Sequence, residues 1–277
     1  MAQKKAKREP TRRDLLRWLT AGAATSLAAT SYANYTTVGL SVERRSLLLP
    51  NWDANGFRVA VLADLHVDSQ QDVDHTNAAI QLAVAEKPDL IAIPGDFITI
   101  GQKPNASLVL KSLEPLHEAK CPVVATLGNH DYDFKGICHI DSILRQSAAK
   151  LLRNESLEVS GITVAGVEDG IAKRYNVDFL SSGGFSRSLL ALFHEPDYVD
   201  YVPKNVSLQL SGHSHGGQIC LPGGIPLHTP IGSNQYYAGY YPNANVPLYV
   251  TRGIGTTGPR WRLFCPPEVS ILTLKGI

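Results

Sequence analysis

The chain contains no C-x-x-C pair; its four cysteines, Cys121, Cys138, Cys220 and Cys265, are scattered over 277 residues. That spacing argues against a zinc knuckle or a thioredoxin-type redox motif and makes buried thiols the expectation. No segment approaches about 18 consecutive apolar residues, the least that spans a bilayer comfortably. An excess of one charge is also missing: 26 Lys and Arg face 25 Asp and Glu, for a net charge of +1. The balance conceals an asymmetry. Residues 1–20 hold seven basic residues against Glu9 and Asp14, whereas the rest holds 19 basic and 23 acidic residues. A mildly acidic body without a basic stripe argues against a stable nucleic-acid partner. Internal repeats and low-complexity tracts are absent after the N-terminal segment.

An apolar content of 44% with 18% charged residues is globular composition, sufficient for a real core. No linker divides residues 34–277, which read as one domain. Residues 1–33 read as an address instead. "TRRDLLRWLTAGAATSLAAT" has a basic head, paired Arg12 and Arg13, and a weakly apolar Ala/Leu/Thr stretch. Its T-R-R-x-L-L pattern resembles the twin-arginine export signal, which implies passage through that export machinery to a periplasmic or extracytoplasmic site. Ser31 to Ala33 offer a small-x-small cleavage site, so the segment is either a cleaved signal or a retained N-terminal anchor.

Along the body, "TTVGLSVERRSLLLP" partly alternates as an opening edge strand would, and for "ERRSLLLPNW" a membrane-contact patch is the other reading. "GFRVAVLADLH", "PDLIAIPGD" and "CPVVATLGNHD" are continuous apolar runs, the pattern of buried strands. Between and after them lie three helical stretches: "DVDHTNAAIQLAVAEK"; "SLVLKSLEPLHEA", bent near Pro115; and "HIDSILRQSAAKLL", with Ile140, Ile143, Leu144 and Leu151 on one face. The β-α-β-α-β-α order predicts a layered α/β fold with a partly parallel sheet. The second half is poorer in helix and holds five strand candidates, "LEVSGITVAGVED", "SLLALFHEPD", "VSLQLSGHSH", "PLYVTRGIGT" and "EVSILTLKG". They predict a second sheet packed on the first.

Acidic and imidazole groups gather where these strands end. They are Asp64 and His66; Asp96; Asn129, His130 and Asp131; His194; and His213 with His215. Strand ends in open α/β sheets form the crevice where ligands bind. Carboxylates, imidazoles and one amide oxygen suit Mn, Fe or Zn better than calcium, and the lack of thiolates argues against a closed structural zinc site. About seven ligands exceed what one ion needs. Two ions sharing a carboxylate, about 3.5–4 Å apart, fit the number and can activate water toward phosphorus. The pairs Asp64/His66 and His213/His215 are spaced i,i+2, which on extended backbone projects both side chains to one side. Singly, Asp64 reads as a helix cap, Asp96 and Asn129 as turn residues and His194 as a buried core histidine. Jointly those readings do not explain the order.

D-x-H, G-D, G-N-H-D, an isolated His and G-H-x-H, in that order from Asp64 to Gly216, resemble the signature of the calcineurin-like metallophosphoesterases. "SGHSHGGQ" and "YVTRGIGT…CPPEVSILTL" further resemble the bacterial subgroup of exported, membrane-associated phosphodiesterases. The resemblance implies two packed mixed β-sheets flanked by helices, four layers in all. It also implies two divalent ions and a phosphate-ester substrate, with hydroxide between the metals attacking phosphorus. Asp64, His66 and His215 would hold one ion, Asn129, His194 and His213 the other, with Asp96 between them. His130 would touch the phosphate and act as general acid, and Asn129 and Arg260 would add substrate contacts. The subgroup also implies a membrane surface or lipid as partner. Phosphomonoester hydrolysis, or metal and phosphate binding without turnover, are the other readings.

Two positions depart from the family pattern. Thr99 stands where G-D-x-x-D relatives carry an Asp that orients the catalytic His, so either Asp131 takes over or His130 is held less firmly. Asp68 replaces a glycine and would crowd or recharge the mouth of the site. "TTGPRWRLF", with Arg260, Trp261 and Arg262, is either an anion-gripping rim or an ordinary loop. "QYYAGYYPNANVP" would line or cover the cleft. His75, His117, His139 and His228 are assigned to the surface or to the surroundings of the site.

Overall fold

The computed structural model describes residue 31 and residues 39–99, 105–132, 140–181, 184–258 and 260–277. Apart from Ser31, the expected export segment lies outside the described residues, as do Cys138 and His139. Among the described residues, no helix is long and apolar enough to cross a membrane.

Two six-stranded mixed sheets form the frame. The first has β1 (Ser41–Leu49), β2 (Phe57–Val61), β3 (Leu90–Pro94), β4 (Val123–Thr126) and β5 (Lys150–Leu151). Its sixth strand is the C-terminal β14 (Glu268–Gly276), and the spatial order is β1-β14-β2-β3-β4-β5. β2 to β5 run parallel, and β14 pairs antiparallel with β2 and parallel with β1. The second sheet has β6 (Glu155–Val159), β7 (Ile162–Gly166), β8 (Leu189–Leu192) and β9 (Leu208–Ser211). It is completed by β12 (Gly239–Tyr241) and β13 (Leu248–Val250), in the order β12-β13-β9-β8-β7-β6. β7, β8, β9 and β13 are parallel. A small hairpin, β10 (Cys220–Leu221) with β11 (Ile225–Pro226), stands outside both sheets.

Buried apolar residues form three layers. Helix α1 (Gln70–Ala85) turns Val73, Ala79, Ile80 and Ala83 inward, and with α2 (Ala106–Leu113) it covers the outer face of the first sheet through Ile91, Ile93 and Val123. A second layer, with Val59, Val61, Leu190, Leu210 and Leu272, fills the space between the sheets. On the far face of the second sheet, Ala191, Phe193, Leu248 and Val250 pack under 3-10 turns and the Tyr175–Tyr198 aromatic contact. The expected sandwich of two packed mixed sheets with helical cover is present. Its cover on the second sheet is 3-10 turns such as Pro196–Tyr201.

Three local outcomes refine the sequence reading. The stretch with Pro115 is α2 followed by a 3-10 turn, Glu114–Glu118, because proline suits the first turn of a helix but not its interior. The helix expected over 139–152 shrinks to one turn, α3 (Asp141–Leu144). Ser147 Oγ donates to Leu144 O at 2.8 Å and accepts from Ala149 N at 3.2 Å, an alternative to helical bonding that releases Leu151 into β5. The last strand candidate does not join the second sheet. Its run Val269 to Leu272 is buried on both faces, which suits the interior of the first sheet, between β1 and β2.

Leu272 is fully buried between the sheets. Leu272→Ala is expected to cost about 3 kcal/mol of stability through lost transfer energy and a residual cavity, read by urea unfolding. A loss below about 1 kcal/mol would show that this layer is not close-packed.

Candidate metal centre

Parallel strands deliver the chemistry to one end of the sandwich. Asp64 and His66 follow β2, Asp96 follows β3, Asn129 and His130 follow β4, His194 follows β8, and His213 and His215 follow β9. At these positions the backbone leaves the extended region abruptly. Asp64, His66, Asp96, His213 and His215 all have positive φ, between 47° and 70°. Left-handed backbone costs a non-glycine residue free energy and persists where surrounding contacts enforce it. Here the enforcing bonds cross between the sheets. His213 N donates to Asp64 Oδ1 at 2.8 Å, and the His194 Nδ1–H reaches Pro94 O at 2.6 Å.

The side chains converge into two groups. Asp64, His66 and His215 form one, and Asp96, His194 and His213 form the other. Asp96 Oδ2 lies 3.1 Å from His194 Nε2 and 3.5 Å from His66 Nε2, so one oxygen faces both groups. Asn129 Oδ1 lies 2.9 Å from His213 Nδ1, which adds the amide to the second group. All seven residues named from the sequence as ligands are therefore brought together, and a third, overlapping group joins His66, Asp96 and His130. His130 joins at the rim. Its N–H donates to the other Asp96 oxygen at 2.9 Å, and its ring stands edge-on to His66, with centroids 4.9 Å apart.

The hydrogen bonds behind the site leave ligand atoms facing inward. His66 Nδ1 meets Ile98 O at 3.2 Å, and His213 Nε2 meets Ile231 O at 2.9 Å. Each carbonyl takes the ring proton and leaves the opposite nitrogen with a lone pair toward the centre. Two buried ligand atoms, Asp64 Oδ2 and His194 Nε2, have no hydrogen-bond partner. An unpartnered carboxylate oxygen among imidazole nitrogens is expensive without a positive charge beside it, so the residues fit divalent ions. Burial pushes His66 down to about 3 and lowers His213 and His215, which leaves three imidazoles neutral, as metal ligands must be. His194 moves the other way. Burial opposes its charge, but Asp96 and Asp64 raise it well above the usual range, so this group too calls for positive charge.

The surroundings answer the two departures. Asp131 does not orient His130: its carboxylate accepts from Gly128 N at 2.9 Å, Asp96 N at 3.0 Å and Phe97 N at 2.8 Å, tying the Asp96 loop to the Asn129 loop. Thr99 Oγ1 lies 3.5 Å from His66 Nδ1, beside a ligand rather than beside the expected acid. Asp68 does not crowd the mouth. Its N–H donates to Asp72 in the α1 capping box, and it is absent from the cavity wall.

The cluster of candidate ligands opens into a cavity of about 620 Å³ whose lining includes the polar Asn129, His130 and His213 and the apolar Ile171, Ile219 and Leu227. Arg260, expected to contact substrate, does not line it. Its guanidinium is paired with Asp72 at 3.0 Å and faces a neighbouring cavity over α1. The Tyr-rich stretch does not line it either; Tyr237 O instead accepts from Ser214 Oγ at 2.6 Å, steadying the residue between the two histidines. His228 is exposed on the cavity wall.

Three supporting residues escaped the sequence reading. Arg262, read as part of either an anion-gripping rim or an ordinary loop, is fully buried; it donates to Gly255 O at 2.6 Å and Arg252 O at 2.9 Å, with Nη1 3.3 Å from His215 O. Glu195 accepts from Gly170 N and Ile171 N, both at 3.1 Å. Its neighbour Asp169 is pushed up to about 10 by burial and by Glu195 itself. The only sequence signals for these were an Arg inside an apolar loop and an acid beside a site histidine.

A cluster of carboxylates and imidazoles opening into a cavity, on two packed sheets, is the donor set of a divalent-metal site. The match to known proteins makes it specific. The model of the calcineurin-like phosphoesterase family covers residues 57–217. The chain is 31% identical over 279 residues to the metallophosphoesterase YkuE of Bacillus subtilis (strain 168), covering 93% of this chain and 94% of that one. It is 30% identical over 268 residues to the phosphodiesterase YaeI of Escherichia coli (strain K12), covering 93% and 98% respectively. Among solved structures, the NAD nucleotidase of Haemophilus influenzae aligns at 14% identity and a TM-score of 0.44, over 72% of this chain and 45% of that one. The chain belongs to the calcineurin-like phosphoesterase family, and it is a hydrolase acting on phosphate esters.

Gly253 borders the Asp64 carboxylate so closely that an added Cβ would collide with it. Gly253→Ala is expected to lower metal affinity roughly 10-fold or more by displacing Asp64, read by competition with a chelator. Unchanged affinity in a folded variant would show that Asp64 is not held where the ligand role needs it.

Proposed function

We propose that the protein is a binuclear metal-dependent phosphodiesterase, exported by the twin-arginine pathway and acting outside the cytoplasm at the membrane surface. The observation that carries the two-ion reading is the position of Asp96 Oδ2 between His66 of one group and His194 of the other. A buried carboxylate oxygen facing two separate sets of candidate ligands is suited to bridging two ions. Preference for diesters is supported by the name of YaeI, which matches nearly the full length of this chain. Export is supported by the Arg12-Arg13 pattern and the weakly apolar stretch after it.

The first ion would be held by Asp64, His66 and His215 and the second by Asn129, His194 and His213, with Asp96 shared. When bound, two such ions supply Lewis-acid activation of water and neutralise charge on the phosphoryl oxygens. The chain's own residues do the rest. Carbonyls of Pro94, Ile98 and Ile231 fix three imidazole rings by taking their outward protons. Asp131 locks the Asp96 and Asn129 loops, which holds His130 at the cavity wall. From there His130 delivers a proton to the departing alkoxide, so the leaving group exits as an alcohol.

The test combines two assays. His130→Ala is expected to retain its metals and lose roughly 10²–10⁴-fold in kcat, the range for removal of a general acid. An unchanged rate removes the acid assignment. Metal-loaded wild type is expected to turn over bis-para-nitrophenyl phosphate better than para-nitrophenyl phosphate. A strong preference for the monoester replaces the diester reading with a phosphomonoesterase, and inertness toward both points to metal and phosphate binding without turnover. Elemental analysis near two ions per chain supports the binuclear centre, whereas one ion per chain overturns it.

A further inference from the structure

From Asn205 to Thr251, 47 consecutive residues contain no Asp, Glu, Lys or Arg, although such residues make up 18% of the chain. This uncharged stretch includes the β10–β11 hairpin beside the metal site. In the hairpin Leu221 opposes Ile225, and the Leu227 N–H bonds Ile219 O at 3.2 Å, which makes Ile219 and Leu227 the next rung on that face. Residues two apart on a strand, and residues directly opposed across a ladder, share a face. Ile219, Leu221, Ile225 and Leu227 therefore form one apolar ridge, while Cys220 and Pro226 face the protein, where Gly217 packs against both.

The ridge is continuous with the metal site. Ile219 and Leu227 line the cavity together with His213 and His215. Leu221 and Ile225 carry the same face about 7 Å further out, one rung spacing of two residues. Leu221, Ile225 and Leu227 are 48%, 56% and 62% exposed. Ile171 and Ile231, which also line the cavity, are exposed as well. Single exposed apolar residues need no explanation, but a contiguous set leading out of a binding cavity marks a surface for an apolar ligand. The segment that carries this ridge contributes no charged side chain to attract a sugar phosphate or polyanion.

We infer that the site takes amphiphilic phosphate esters, with the phosphate at the metal cluster and a hydrocarbon chain of the same molecule lying along the Ile219–Leu227–Leu221–Ile225 ridge. This rests on the phosphodiesterase reading above and adds the class of alcohol. The chain lies against one side only, so each methylene contributes about half of what full burial would, roughly twofold in kcat/KM.

The test is a series of methyl, butyl and octyl para-nitrophenyl phosphates, assayed with the metal-loaded protein below the concentration at which they aggregate. In wild type, kcat/KM is expected to rise at least roughly 20-fold from methyl to octyl. In the double variant Leu221→Ser, Ile225→Ser the octyl-to-methyl ratio is expected to fall about fivefold or more. Its kcat/KM on the methyl ester should stay within about twofold, because exposed substitutions away from the ligands leave fold and metals intact. Hydrolysis of the methyl ester with no rise along the series overturns the ridge and leaves the phosphodiesterase reading standing. A rise that the double variant reproduces in full places the chain elsewhere and overturns the ridge too. Failure to turn over any member overturns both readings.

Discussion

Two buried atoms without hydrogen-bond partners, Asp64 Oδ2 and His194 Nε2, sit within a group of side chains that otherwise offers lone pairs in every direction. Positive charge at this point is the constraint on which the rest of the architecture depends. A sandwich built only for stability would place apolar side chains where the strands end. This one places seven residues with metal-ligating side chains there and accepts left-handed backbone at five of them. Both are unfavourable for the protein alone. They become favourable together when divalent ions supply the missing charge, which links metal binding to the stability of this end of the fold.

The two sheets meet at the same place. The His213 N–H reaches Asp64, which follows the first sheet's β2, and the His194 ring reaches the carbonyl of Pro94 at the end of β3. Asp131 then fastens two loops of the first sheet, and Arg262 gathers carbonyls from the loops after β9 and β13. Removing any of these bonds leaves the ligand residues present but less well aimed. Affinity and turnover depend on that aim more than on which residue types are available.

Much of this was legible in the chain because strands buried on both faces and ligand pairs spaced i,i+2 leave strong local marks. "VAVLADLH" announces both a buried strand and the two groups that follow it. The parts that were not legible depend on distant partners. β14 reads like any apolar strand, and only pairing with β1 and β2 assigns it to the first sheet. Arg262 and Arg260 are two residues apart and alike in sequence, but one is buried among carbonyls and the other is paired with Asp72 on the surface. Asp131 follows His130 directly, which suggested a role in orienting it. Its three backbone donors, contributed by Gly128 and by Asp96 and Phe97 from another loop, commit it elsewhere.

The same dependence on distant partners joins the metal end to the cavity wall. Glu195 follows the ligand His194 directly, and its carboxylate receives the N–H groups of Gly170 and Ile171. This buried carboxylate fixes the backbone that presents Ile171 to the cavity, so a wall residue is anchored one residue from a site histidine. Elsewhere on the wall, Ile231 O accepts a hydrogen bond from the His213 ring while the Ile231 side chain stands exposed. Both apolar flanks are thereby bonded, through a single residue, to the groups that would hold the second ion. A shift of that ion's ligands must move the walls as well, and this makes the position of the phosphate and the shape offered to the rest of the substrate a single geometric property.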